Sequence, residues 1–138
     1  MLDEVLTKDF DENTTNGNRV FNYSDLALAS AFGPDGPSEV ISGVDSCRTD
    51  NFLSKTRFDD VDDYDGYRRM AWNSRLGWFT VSVVIKYVSE TDPNTESIPR
   101  TYYKRITVTV THPNMMTDQN GNVIPLVMQD LSIYRRYF

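Results

Sequence analysis

The chain has 138 residues, a length that fits one domain, and 39% hydrophobic residues, with a 12% aromatic share supplying much of the buriable area. A net charge of −6 gives the body as a whole no long-range attraction for nucleic acid or anionic lipid. One cysteine, Cys47, excludes an internal disulfide and a four-thiolate zinc site; one histidine, His112, excludes a multi-histidine metal site; and no apolar run reaches the length of a membrane-spanning helix.

The first predicted element is a helix over residues 1–10. Leu2, Val5, Leu6 and Phe10 form one apolar stripe, with Asp3, Glu4, Lys8 and Asp9 off it. No capping residue precedes the stripe, and a helix this short is marginal alone. The pattern therefore reads as the end of an amphipathic helix that packs on the rest of the protein, continues upstream, or both. Its stripe should help close the core, so Leu6→Asp should unfold or swell the domain.

Residues 11–18 are a turn cluster. Residues 24–32 suggest a second short helix, with Ser24 as N-cap, Gly33 just past its end and Pro34 as the stop. Residues 38–57 show no period and read as an irregular connection. Phe58, Val61, Tyr64 and Tyr67 then recur every three residues, which places them on one side of a helical or 3-10 turn. On that reading Asp59, Asp60, Asp62, Asp63 and Asp65 face away from the packed side.

Residues 78–88 and 102–111 carry the strongest strand signals. In the second, Ile106, Val108 and Val110 alternate with Thr107, Thr109 and Thr111, giving a dry face and a threonine face. The linker between them suits an antiparallel pair. His112-Pro113 ends the strand, and Asn120-Gly121 marks a turn. Residues 123–128 and 131–137 suggest one interrupted strand, with Pro125 arguing for an edge or a bulge.

The predicted fold class is α+β: an N-terminal helix on an antiparallel meander of about three to four strands, with a long irregular connection between them. The whole chain reads as one domain, with a helix end over residues 1–12, a loop-rich region over 13–75 and the sheet over 76–138.

Three stretches of this layout resemble the type IV pilin-like family, which includes minor pilins and the pseudopilins of type II secretion. Residues 1–13 resemble the end of the long pilin helix and its exit loop. Residues 58–67 resemble an acidic segment common in minor pilin-like proteins, and residues 104–113 the strand beneath the helix. The family's leader, processing site and apolar helix half are not in this sequence, which would then be a soluble globular piece. The resemblance implies a non-enzymatic subunit, anchored in the inner membrane before assembly and then part of a periplasmic or cell-surface filament. Its partners would be other pilin or pseudopilin subunits, and Leu2, Val5, Leu6 and Phe10 would matter for assembly.

The residues themselves leave other readings open. Five carboxylates within residues 59–65 repel one another, and a hard cation such as calcium would relieve that. Asp59, Asp60, Asp62, Asp63 and Asp65 are thus candidate calcium ligands, although Val61 breaks the EF-hand spacing; the plain alternative is a solvated acidic face. A self-contained binding module, calcium-dependent or carbohydrate-binding, is the second function they suggest. An acid–base hydrolase would need a concave pocket holding two of them.

Residues 117–122 are oxygen-rich but fit an ordinary turn. Tyr67-Arg68-Arg69, Tyr102-Tyr103-Lys104-Arg105 and Tyr134-Arg135-Arg136-Tyr137-Phe138 mix basic and aromatic residues as a polyanion site would. The overall charge disfavours nucleic acid, and pairing with aspartates or neighbouring subunits is the other reading. Neither His112 nor Cys47 has a local partner for nucleophilic chemistry.

Overall fold

A computed structural model describes residues 1–41 and 53–135. Its centre is a four-stranded antiparallel sheet in sequence order: β1 (Arg68–Asn73), β2 (Gly77–Tyr87), β3 (Tyr103–Thr111) and β4 (Leu126–Ile133). The alternation in β3 sets the register, with Val81, Val83 and Ile85 of β2 opposite Val110, Val108 and Ile106. These side chains share one face, while Thr107, Thr109 and Thr111 stay half-buried.

The dry face is covered by the aromatic turn. Phe58, Val61, Tyr64 and Tyr67 are all buried, as their three-residue spacing predicts, and join Val5 and the sheet in the main apolar cluster. Phe58, Tyr64 and Tyr67 meet edge to face at centroid distances of 4.8, 5.2 and 5.9 Å. The turn also extends the sheet. Gly66 N–H donates to Val83, Val83 N–H donates to Tyr67, and Asp65 Oδ1 accepts from Ile85 N–H at 2.8 Å. A carboxylate thus satisfies β2 where β1 no longer pairs with it.

Several elements differ from expectation. The helix α1 spans only Leu2–Leu6, and Thr7 closes it by donating to Glu4 O. Asp9 and Asp60 instead form a parallel bridge, so Phe10 leaves the helical stripe for a second cluster with Val20, Leu26 and Tyr87. Within the stripe, Val5 is 0% exposed, Leu2 is half-buried and Leu6 is 37% exposed.

Residues 24–32 form no single helix. Two 3-10 turns, Tyr23–Asp25 and Ala29–Ala31, are separated by extended backbone at Leu26. Asp25 turns back to accept from Asn22 N–H, and Ala27 N–H is drawn to Asp11. The connection over 38–57 ends in a short helix, α2 (Ser54–Arg57), while Cys47 lies outside the described residues.

The sheet begins earlier than residue 76, since β1 lies inside the expected loop region. Arg68-Arg69-Met70-Ala71-Trp72-Asn73 lacks β-branched residues, and its strand is made by pairing with β2 across a turn closed by Asn73 and Gly77 (φ 86°). The two C-terminal strand segments are one strand, β4, beginning just after Pro125 and lying at a sheet edge.

Candidate functional site

The acidic turn does not point its carboxylates outward. Asp60, Asp62 and Asp63 are buried, only Asp59 is exposed, and the five go to different tasks. Each of Asp60 and Asp63 caps the other's backbone: Asp60 Oδ1 accepts from Asp63 N–H at 3.0 Å, and Asp63 Oδ2 accepts from the N–H groups of Asp59 and Asp60. Asp65 holds β2, as described above. The reading of a solvated acidic face is corrected by this reciprocal capping, which turns the short chain segment inward on its own carboxylates.

Asp62 pairs with Lys104. Lys104 lies on the dry face of β3, two residues before Ile106, and is 0% exposed. Its Nζ donates to Asp62 at 2.7 Å, to Asp11 Oδ2 at 2.9 Å and to Phe10 O at 2.8 Å. The rings of Phe10, Phe32 and Tyr87 enclose it at centroid distances of 4.3, 5.0 and 5.0 Å.

Asp11 also accepts from Asn13 N–H, Ala27 N–H and Tyr87 O–H. Burial would raise its pKa, but Lys104 and these donors outweigh that and hold it low. Asp62 goes the other way: burial, only partly offset by Lys104, and contact with Asp11 push it up to about 7. One buried cation serves two carboxylates here, at 2.9 Å from Asp11 and 2.7 Å from Asp62.

A different set of carboxylates gathers near Asp60. Glu12, Asp35 and Asp60 each bring an oxygen within 4.8 Å of the others, and Glu12, Glu39 and Asp59 form a second such set. The Asp9–Asp60 bridge and a bond from Gly33 N–H to Asp62 O bring these loops together. Asp60 is 0% exposed and its Oδ2 has no hydrogen-bond partner; Glu12 Oε2 and Asp63 Oδ1 are likewise buried without one.

Burial, then repulsion from Asp62 and Asp63, raises Asp60 to about 9. Asp59 and Glu12 are raised by burial and by their acidic neighbours. Two oxygens each about 2.4 Å from a Ca²⁺ ion are at most about 4.8 Å apart, so every pair in these sets lies within the span of one ion. Of the five sequence candidates, Asp59 and Asp60 join this cluster, and Asp62, Asp63 and Asp65 have the other partners given above. Glu12, Asp35 and Glu39 carried no sequence signal, because Glu12 comes from one loop, Asp35 and Glu39 from another, and both are distant in sequence from residues 59–65. Lys104 did carry one, since the alternation of Ile106, Val108 and Val110 runs back through it.

A second polar node anchors α1. Glu4 accepts from Ser54 Oγ, from Tyr64 O–H at 3.0 Å and from Arg69 at 3.0 Å. Burial opposes its ionisation, but these donors prevail and keep its pKa low. In the mixed basic and aromatic stretches, Arg69 and Lys104 are therefore engaged with carboxylates, as is Arg105 with Glu96 at 3.1 Å. Arg68 and Arg135 are exposed, and Arg136, Tyr137 and Phe138 lie outside the described residues.

His112 sits at the strand end with its Nε2 against Leu76 O and its ring 4.6 Å from Phe79. Residues 117–122 form a turn in which Asp118 accepts from the N–H groups of Asn120 and Asn122. Asp63 and Asp65 line an open depression of about 280 Å³ with Phe58 and Tyr67. Among the described residues, no helix is long and apolar enough to cross a membrane. Comparison with protein-family profiles, curated proteins and solved structures gives no match.

Proposed function

We propose that this is the globular domain of a non-enzymatic, pilin-like subunit of an envelope filament, with the N-terminal helix as the exposed end of a longer anchor helix laid on the sheet. One observation carries the reading. The three stretches that resemble the family, at residues 1–13, 58–67 and 104–113, are far apart in sequence, yet Lys104 Nζ bonds Phe10, Asp11 and Asp62 at once. Such a node fixes where the helix exits relative to the sheet, which a subunit stacking through its helix needs. The partly exposed Leu2 and Leu6 would then face neighbouring subunits, and Val5 and Phe10 would hold the helix end to its own domain.

The test is the native protein in its source cells. An antibody raised against residues 1–138 should label sheared surface filaments or inner-membrane fractions. Recovery of the whole signal in the cytosolic fraction would overturn the proposal.

A second reading rests on the unpartnered Asp60 Oδ2 and on the approach of an Asp60 carboxylate oxygen to Glu12 and Asp35. A hard divalent cation, calcium by the oxygen-only donor set, would bridge three loops and relieve their repulsion. This fits a calcium-dependent binding module and equally a calcium-stiffened subunit. Titration calorimetry with calcium should show binding that Asp60→Asn abolishes; no heat at millimolar calcium would remove the site.

A further inference from the structure

The Lys104–Asp62 contact is unlike an ordinary ion pair. Nζ lies 2.7 Å from Asp62 Oδ1 and also 2.7 Å from Oδ2, yet Oδ1 accepts no hydrogen bond. The nitrogen therefore straddles the carboxyl group instead of lying along one oxygen's lone pair, which brings it about 3 Å from the carboxyl carbon, in near-attack range. The pair is closed off from solvent by Phe10, Phe32 and Tyr87, and a second buried carboxylate, Asp11, touches the same nitrogen at 2.9 Å.

We propose that Lys104 and Asp62 condense into an intramolecular amide cross-link, with Asp11 carrying the proton. One proton passes from the ammonium to the Asp62 carboxylate, giving a neutral amine and a carboxylic acid. The nitrogen lone pair attacks Cγ of Asp62 and a C–N bond forms. Asp11 takes a proton from the nitrogen and gives it to the departing hydroxyl. The C–O bond breaks and one water leaves. Asp11 ends as it began, and no oxidant, metal or second substrate is consumed.

Tyr87 O–H and Ala27 N–H hold Asp11 in place through the step. The product is a covalent staple between the acidic turn and β3, closing a loop across 42 positions of sequence. Such a bond resists pulling and unfolding in a way that an ion pair does not.

Denaturing intact-mass measurement of the purified 138-residue chain decides it. The mass should fall short of the sequence mass by one water, about 18 Da. Trypsin should release residues 58–68 joined to residues 101–105, because acylated Lys104 is no longer cut. Lys104→Met and Asp62→Ala should have full mass, and Asp11→Asn should leave most of the chain uncondensed. A full-mass native chain, or a water loss that maps elsewhere or persists in Lys104→Met, would overturn the proposal. The native chain carries the decision, so a variant that fails to fold does not weaken the test.

Discussion

Lys104 and Asp62 stand 42 positions apart in sequence and 2.7 Å apart in the fold, both buried. Phe10, Asp11 and Asp62, from two separate loops, are fastened to β3 at this one nitrogen.

Removing Lys104 should therefore cost far more than its apolar stem. Lys104→Ala leaves Asp11 and Asp62 buried without a cation, and a broken buried pair costs about 3–5 kcal/mol. Guanidinium denaturation should show a loss of that size or an unfolded variant. A loss below about 1 kcal/mol would mean that water reaches the site.

Stability should fall as pH rises in the absence of divalent cations. Asp60 and Asp63 are raised from 3.8 to about 9 and about 7, first by burial and then by neighbouring carboxylates. The folded state holds these protons while the unfolded state has released them above pH 3.8. Their contribution is thus complete below that value and is lost progressively through pH 7–9. Glu4 and Asp11, which are lowered, act oppositely and lose their contribution as pH falls below the ordinary carboxylate range. Melting curves in EDTA should decline from pH 5 to pH 9 by roughly 3–5 °C per kcal/mol lost; a flat profile would contradict the buried protonated carboxyls.

Calcium should reverse that slope, because it binds the ionised cluster. At a hundred times its dissociation constant it would add about 2.7 kcal/mol. Asp60→Asn keeps the acceptor for Asp63 N–H but removes the ionisable carboxyl. It should raise the melting temperature in EDTA and abolish the calcium shift. If the variant still responds fully to calcium, the ion sits elsewhere.

Adjacent residues of α1 should respond very differently to the same change. Val5→Asp puts an unpaired carboxylate among Val61, Val83 and Ile106 and should unfold the domain or cost several kcal/mol. Leu6→Asp, at a 37% exposed position, should change stability by about 0.5 kcal/mol or less. Comparable losses would place Leu6 in the core, as the stripe alone suggests.

The sequence by itself determined what has a local period. Ile106, Val108 and Val110 alternating with threonine specify the strand and its dry face, and Phe58, Val61, Tyr64 and Tyr67 at three-residue spacing specify the buried side of the turn. These patterns work because strand and turn geometry repeat over two or three residues, so burial leaves a periodic trace. Phe10 shows their limit: it continues the stripe of Leu2, Val5 and Leu6 on paper, but the Asp9–Asp60 bridge ends helical geometry before it. Arg68–Asn73 shows another, since its strand comes from its partner and not from its own propensity.

Only the tertiary structure decided the roles of the charges. A run of five aspartates looks like one acidic face, yet Asp62 goes to Lys104, Asp65 to Ile85 N–H, and Asp59 and Asp60 to Glu12, Asp35 and Glu39. Each outcome depends on where distant segments of chain cross. A carboxylate's burial, its proton and its partner follow from that path, which no spacing of neighbouring residues encodes.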